Sequence, residues 1–148
     1  MSSTYSALYY HLVFGTHNRE PWIDANWRPR LHEYLGGTID GLGGVSCEVG
    51  GVADHVHLLV SLRPTQLIPD LVRELKKASN DFVRSEFALL AFAWQEGYGV
   101  FTVSPGSLDG VRRYIANQEA HHRTRSFREE WIELLERAGI EYDPRFLD

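Results

Sequence analysis

A stretch of helical apolar period, held between stretches of strand character, constrains this chain more than any other feature. Ile68, Leu71, Val72, Leu75, Phe82 and Val83 form one apolar stripe, with Arg73, Lys76, Lys77 and Asn80 away from it, so 66–86 is predicted to be a helix. Before it come "VSCEVGGV" (45–52) and "HVHLLVSL" (55–62), two strands whose tight connection predicts a hairpin. After it comes "GYGVFTVS" (97–104), a further strand. Nearer the start, "LYYHLVFGTH" (8–17) reads as a strand. Residues 26–42 read as a helix, because Trp27, Leu31, Tyr34, Leu35, Ile39 and Leu42 share one face, with Asp24 or Asn26 as cap and "GLGG" (41–44) as the stop. Two more helices are predicted, about 108–121 behind the turn "PGS" with Ser107 as cap, and 127–138 ended by Gly139.

The resulting order, β-α-β-β-α-β and then two helices, is the split βαβ or ferredoxin-like pattern. It predicts an α+β fold: an antiparallel sheet with helices on one face, plus the C-terminal helices. No repeat or linker divides the chain, so 1–148 is expected to be one domain, with a core at 8–127 and a helical tail at 127–148. A length of 148 residues supports a real core. The single Cys47 excludes an internal disulfide, no signal peptide is visible, and the apolar run "FALLAFAW" (87–94) is too short for a bilayer. A soluble, cytoplasmic protein is the expectation. The net charge of −5 argues at first against nucleic acid, but residues 128–148 alone hold seven acids and three arginines. The rest is nearly neutral and contains basic clusters, and local patches set the field felt by a DNA strand.

Alternation along a strand puts His55 and His57 on one face, and Val56 and Leu58 on the other. Two imidazoles so placed can bind one divalent ion; a half-exposed strand with histidine at its polar positions fits the pattern as well. Two ligands are too few for a site. The helix "LDGVRRYIANQEAHH" has Tyr114 and Gln118 one turn apart, beside the stripe of Leu108, Val111 and Ile115. Gln118 can supply an amide oxygen, and a tyrosine beside a metal is a candidate nucleophile for phosphoryl transfer. Read by itself, this helix equally fits an amphipathic element with Tyr114 at the edge of the core. Lys76, Lys77, Arg112 and Arg113 are candidate phosphate contacts, joined by Arg73, although charge on a surface helix is the default. His122, a further turn past Gln118, faces DNA, the outer shell of the metal or solvent. Trp94, Tyr98 and Phe101 are candidates for base stacking or for core.

The combination is more specific than its parts. A His-hydrophobic-His strand with a later Tyr-x-x-x-Gln helix is the pattern of the HUH single-strand endonucleases. The segments "YHLVFGTHNR" (10–19), "DHVHLLV" (54–60), "ELKKAS" (74–79), "FAWQEGYGVFTVS" (92–104) and "YIANQEAHHR" (114–123) follow in the order of one branch. The chain resembles the single-tyrosine HUH transposases of bacterial insertion sequences, the small TnpA-like proteins, over roughly residues 8–127. The resemblance implies a homodimer that binds imperfect hairpins in single-stranded DNA. It implies Mg²⁺ or Mn²⁺ held at His55, His57 and Gln118, and Tyr114 as the nucleophile that forms a 5′-phosphotyrosine during strand cleavage and rejoining. In such proteins the tyrosine helix can serve its own subunit or its partner's.

Three rival readings are separable. A histidine-triad hydrolase needs a third alternating histidine where this chain has Leu59. Relaxases and replication initiators of the same chemistry are usually larger. A domesticated hairpin-binding protein that no longer cleaves is free to lose its catalytic residues, whereas His55, His57, Tyr114 and Gln118 are all present.

Overall fold

In the computed structural model, which describes residues 3–147, four strands form one antiparallel sheet. β1 (Tyr9–Gly15), β2 (Val45–Val52), β3 (His55–Ser61) and β4 (Gly99–Val103) lie in the order β2-β3-β1-β4. Leu12 faces Leu58 and Val13 faces His57 across β1 and β3, while Gly50 faces His57 across β2 and β3. The hairpin of β2 and β3 slips register between Ser46 and Glu48, a bulge that leaves Cys47 unmatched. Residues 45–52 form the strand expected, and the other three strands are slightly shorter than read from the sequence.

Helices α1 (Arg28–Gly41) and α2 (Ile68–Glu86) cover one face. Their Leu31, Leu35, Ile39, Leu71, Val72, Leu75 and Val83 close over Leu12, Phe14, Val56, Leu58 and Val60. Neither starts on a side-chain cap. Each instead carries proline in its first turn (Pro29, Pro69), where no amide hydrogen is needed. The Asp24 side chain accepts from the Asn26 amide, and its carbonyl accepts from Trp27 and Arg28, so the expected cap acts one step earlier as a turn. Trp94 is core: its ring packs on Phe14, and its Nε1 donates to the buried Ser79 hydroxyl at 2.8 Å.

The opposite face is covered by the C-terminal elements. The helix expected at 108–121 is broken at Asn117 (φ −99°, ψ 22°) into α3 (Leu108–Ala116) and α4 (Gln118–His121). Ser107 makes no cap bond; its hydroxyl meets that of Ser104. Ile115 packs on Leu59 and Val103. Glycine is required at Gly50, where a Cβ would run into the Ile115 carbonyl, so α3 lies flat on β2. α5 (Phe127–Arg137) begins at a capping box of Ser126 and Glu129, and Gly139 behind it has φ +69°. Its Phe127, Trp131 and Leu135 join Leu147 over Val13. With both faces covered, β3 is a central, fully buried strand rather than a half-exposed one.

Candidate active site

Burial on the second face decides where the polar residues of β3 go. His55, His57 and Leu59 alternate onto it, and both histidines are 0% exposed. His11 of β1 shares that face: its Nε2 lies 2.7 Å from His57 Nδ1, and the two rings stack. From above, α3 delivers Tyr114, α4 delivers Gln118 with His122 just past its end, and α5 delivers Glu130. Glu130 is also fully buried, and it joins His55, His57, His122, Tyr114 and Gln118. Its Oε1 lies 3.1 Å from His55 Nε2, 3.0 Å from His57 Nε2 and 3.0 Å from His122 Nε2. Its Oε2 accepts from the Tyr114 hydroxyl and from Gln118 Nε2. Gln118 Oε1 lies 3.0 Å from His55 Nε2 and 3.1 Å from His122 Nε2. Phe127 stacks flat on His55, with centroids 4.0 Å apart, and seals the cluster on one side.

The electrostatics follow from burial and from this hub. Burial opposes ionisation of Glu130, but hydrogen bonds from His122, His55 and His57 outweigh it and hold the carboxyl far below the ordinary range. Burial, then the hydrogen bond to Glu130, pushes the Tyr114 phenol well above its ordinary value. Burial lowers His11 to about 3 and His57 to about 4, so both are neutral at pH 7. His55 is buried too, yet its bonds to Asp54 and Glu130 raise it. His55, His122 and Glu130 offer ligand atoms within 4.8 Å of one another, and two imidazoles with a carboxylate suit a divalent metal ion.

All four residues that the sequence singles out as the site, His55, His57, Tyr114 and Gln118, are therefore brought together, and within one chain. The basic residues fare differently. Lys76 Nζ donates to the carbonyls of Gln95, Glu96 and Gly97, which turns it inward as a staple for that loop. Burial lowers it to about 8. Lys77, Arg112 and Arg113 are exposed, with Arg112 in a 3.5 Å ion pair with Asp109. Tyr98 and Phe101 are half-buried against the core. Glu130 and His11 are missing from the residues expected at the site. The available signal is a carboxylate inside the apolar stripe of Phe127, Trp131 and Leu134, and a histidine in phase with Val13 on a strand. Beside the cluster, a pocket of about 570 Å³ opens between the start of α1, Gly50 and Asn117–Ala120, bordered by Arg28, His32 and Arg123.

Comparison with known proteins agrees with this geometry. The model of the family described as "Transposase IS200 like" matches residues 4–118. The ISDra2 transposase TnpA of Deinococcus radiodurans is 31% identical over 119 residues, covering 75% of this chain and 84% of the relative. A crystal structure of a protein assigned as a transposase from Deinococcus radiodurans R1 superposes with a TM-score of 0.65 at 28% identity, over 80% of this chain and 95% of the other. A REP-associated tyrosine transposase, solved bound to a REP hairpin, superposes with a TM-score of 0.59 at 14% identity, over 82% and 74%, and so shares the fold. The match over most of the chain, on a sheet that carries the paired histidines under a tyrosine helix, places this protein in the IS200-like transposase family.

Proposed function

We propose that this protein cleaves single-stranded DNA beside an imperfect hairpin and rejoins it in transposition, with Tyr114 as the nucleophile. The observation that carries the reading is the single buried network that joins the Tyr114 hydroxyl, through Glu130, to His55, His57 and Gln118. Each group has a role that its chemistry permits. The tyrosine oxygen loses its proton and attacks the phosphorus, the bond from phosphorus to the 3′ oxygen breaks, that oxygen takes up a proton, and the products are a 5′-phosphotyrosine and a free 3′-hydroxyl. Energy is conserved in the new ester. A free tyrosine phenol titrates near about pH 10, so it departs more readily than an alkoxide. A second 3′-hydroxyl can then reverse the step on another strand without ATP. A divalent ion held by His55, His57 and Gln118 would neutralise charge on the scissile phosphate and orient it. Imidazole donors incline the site toward Mn²⁺ over Mg²⁺.

Arg112 and Arg113, exposed on the tyrosine helix, would track the phosphate backbone, with Lys77 a further exposed cation on α2. The pocket bordered by Arg28 and Arg123 offers an unpaired strand space next to the cluster, with Glu48 and Glu119 balancing the two arginines. The hairpin-bound tyrosine transposase of the same fold supports a hairpin as the DNA element, and a homodimer acting on paired hairpins belongs to the same reading.

The test is a labelled hairpin oligonucleotide from the flanks of the gene, incubated with Mn²⁺ or Mg²⁺ and run on a denaturing gel. Wild type is expected to give a covalent adduct and Tyr114→Phe none. An adduct that persists in Tyr114→Phe removes the nucleophile assignment. Binding without cleavage by wild type assigns the chain instead to non-cleaving hairpin recognition.

A further inference from the structure

We propose that Glu130 and His122 are themselves ligands of the ion, so that the C-terminal helix α5 is fastened to the sheet through the metal. This rests on the reading above, that a divalent cation binds at His55, and adds to it two ligands contributed from outside the strand and the tyrosine helix.

Proton positions decide which atoms are free to bind. His55 Nδ1 lies 2.8 Å from Asp54 Oδ1, which can only accept, so this nitrogen carries a hydrogen. In the neutral ring Nε2 then has a bare lone pair. His122 repeats the pattern, with Nδ1 2.7 Å from the Arg125 carbonyl. The amide of Gln118 is oriented by its own donor, since Nε2 gives to Glu130 Oε2 at 3.0 Å and Oε1 therefore turns toward the two rings. Four lone-pair atoms thus face one another: His55 Nε2, His122 Nε2, Gln118 Oε1 and Glu130 Oε1. The four measured contacts among them are 3.0–3.1 Å. Acceptors do not gather at that spacing unless something positive lies among them.

Protons on the rings meet that need only at a cost. Protonation of both rings would set two imidazolium centroids 4.5 Å apart. With His57 it would also aim three N–H groups at Glu130 Oε1, an oxygen with two lone pairs. A single cation satisfies all four atoms together, and ligands bound at about 2.1 Å and at right angles stand about 3.0 Å apart. The outer partners fit as well. Asp54 and the Arg125 carbonyl hold the ring hydrogens, as acceptors behind metal-bound histidines do. His57 Nδ1 bonds His11 Nε2, which leaves its own Nε2, 3.0 Å from Glu130 Oε1, to bind the same ion from the sheet side, as in the reading above.

The experiment uses the metal-stripped full chain and Mn²⁺ alone, followed by EPR titration and by pulsed EPR that counts coupled imidazole nitrogens. Glu130→Ala and His122→Ala are each expected to weaken Mn²⁺ binding by about 100-fold or more, above the 10–100-fold typical of outer partners. His122→Ala is also expected to remove one imidazole from the spectrum of the bound ion. In wild type, Mn²⁺ is expected to slow hydrogen exchange across 127–137, and in Glu130→Ala to leave it unchanged. If circular dichroism shows Glu130→Ala unfolded, Glu130→Gln replaces it, keeping the volume and losing the charge. Wild-type affinity in both variants, with binding lost in His55→Ala, overturns this proposal and leaves the metal site intact. No Mn²⁺ binding by wild type overturns both.

Discussion

His32 on α1 lines the pocket, and its buried Nε2 has no hydrogen-bond partner among the described residues. Burial, and then the neighbouring Arg28 charge, lower it to about 4. The unfolded chain binds this proton near pH 6.5 and the folded chain does not, so His32 adds stability above pH 6.5 that is lost as the pH falls toward 4. The loss at pH 5 relative to pH 7 should approach about 2 kcal/mol, and His32→Phe should flatten that part of the curve. Urea unfolding at the two pH values measures it, and an equal slope in both proteins would refute it. Glu130 shows the limit of reading residues one at a time. Its position inside an apolar stripe is visible in the sequence, but a carboxylate in an amphipathic helix is normally a rim residue. Its role depends on His55 and His57, more than seventy residues earlier, and only the packing of α5 on β3 shows it.

At the scale of elements, the strands were legible because their alternation is local. The hairpin at 45–61 followed from it directly. The break at Asn117 was not, since the stripe of Leu108, Val111 and Ile115 runs almost up to it and the interruption has no glycine or proline to mark it. The consequence for the site is small, because Gln118 still reaches the His55 ring across the break. α5 was legible as a helix and its capping box is present in the sequence as Ser126 and Glu129. Ser126→Ala should cost about 1 kcal/mol. The loss should concentrate in the first turn, where Phe127 covers His55, and hydrogen exchange at 127–130 reads it. Uniform loss across the sheet would show that the cap acts on the whole domain instead.

Over the whole molecule, the acidic balance has a structural explanation. Five of the seven acids of the tail are turned toward partners. Glu130 lies in the cluster, Glu129 caps α5, Glu133 pairs with Arg125 and Arg137, Glu136 accepts from Tyr142, and Asp143 binds Arg145. The net charge therefore understates what a strand would meet near Arg112 and Arg113. Replacing both by alanine should weaken hairpin binding and reduce the slope of log affinity against log salt by about 0.7 for each phosphate no longer neutralised. A weaker affinity with an unchanged slope would assign the two arginines a structural part. Among the described residues no helix is long and apolar enough to cross a membrane.

Gly50 gives the assembly its depth. The missing methyl group is all that lets the Ile115 backbone rest on the sheet, and Tyr114 precedes Ile115 by one residue. The reach of the nucleophile is thus set by a clearance as well as by its bond to Glu130. Clearances can be graded: each carbon added at Gly50 would lift the tyrosine from the histidines while every polar group kept its identity.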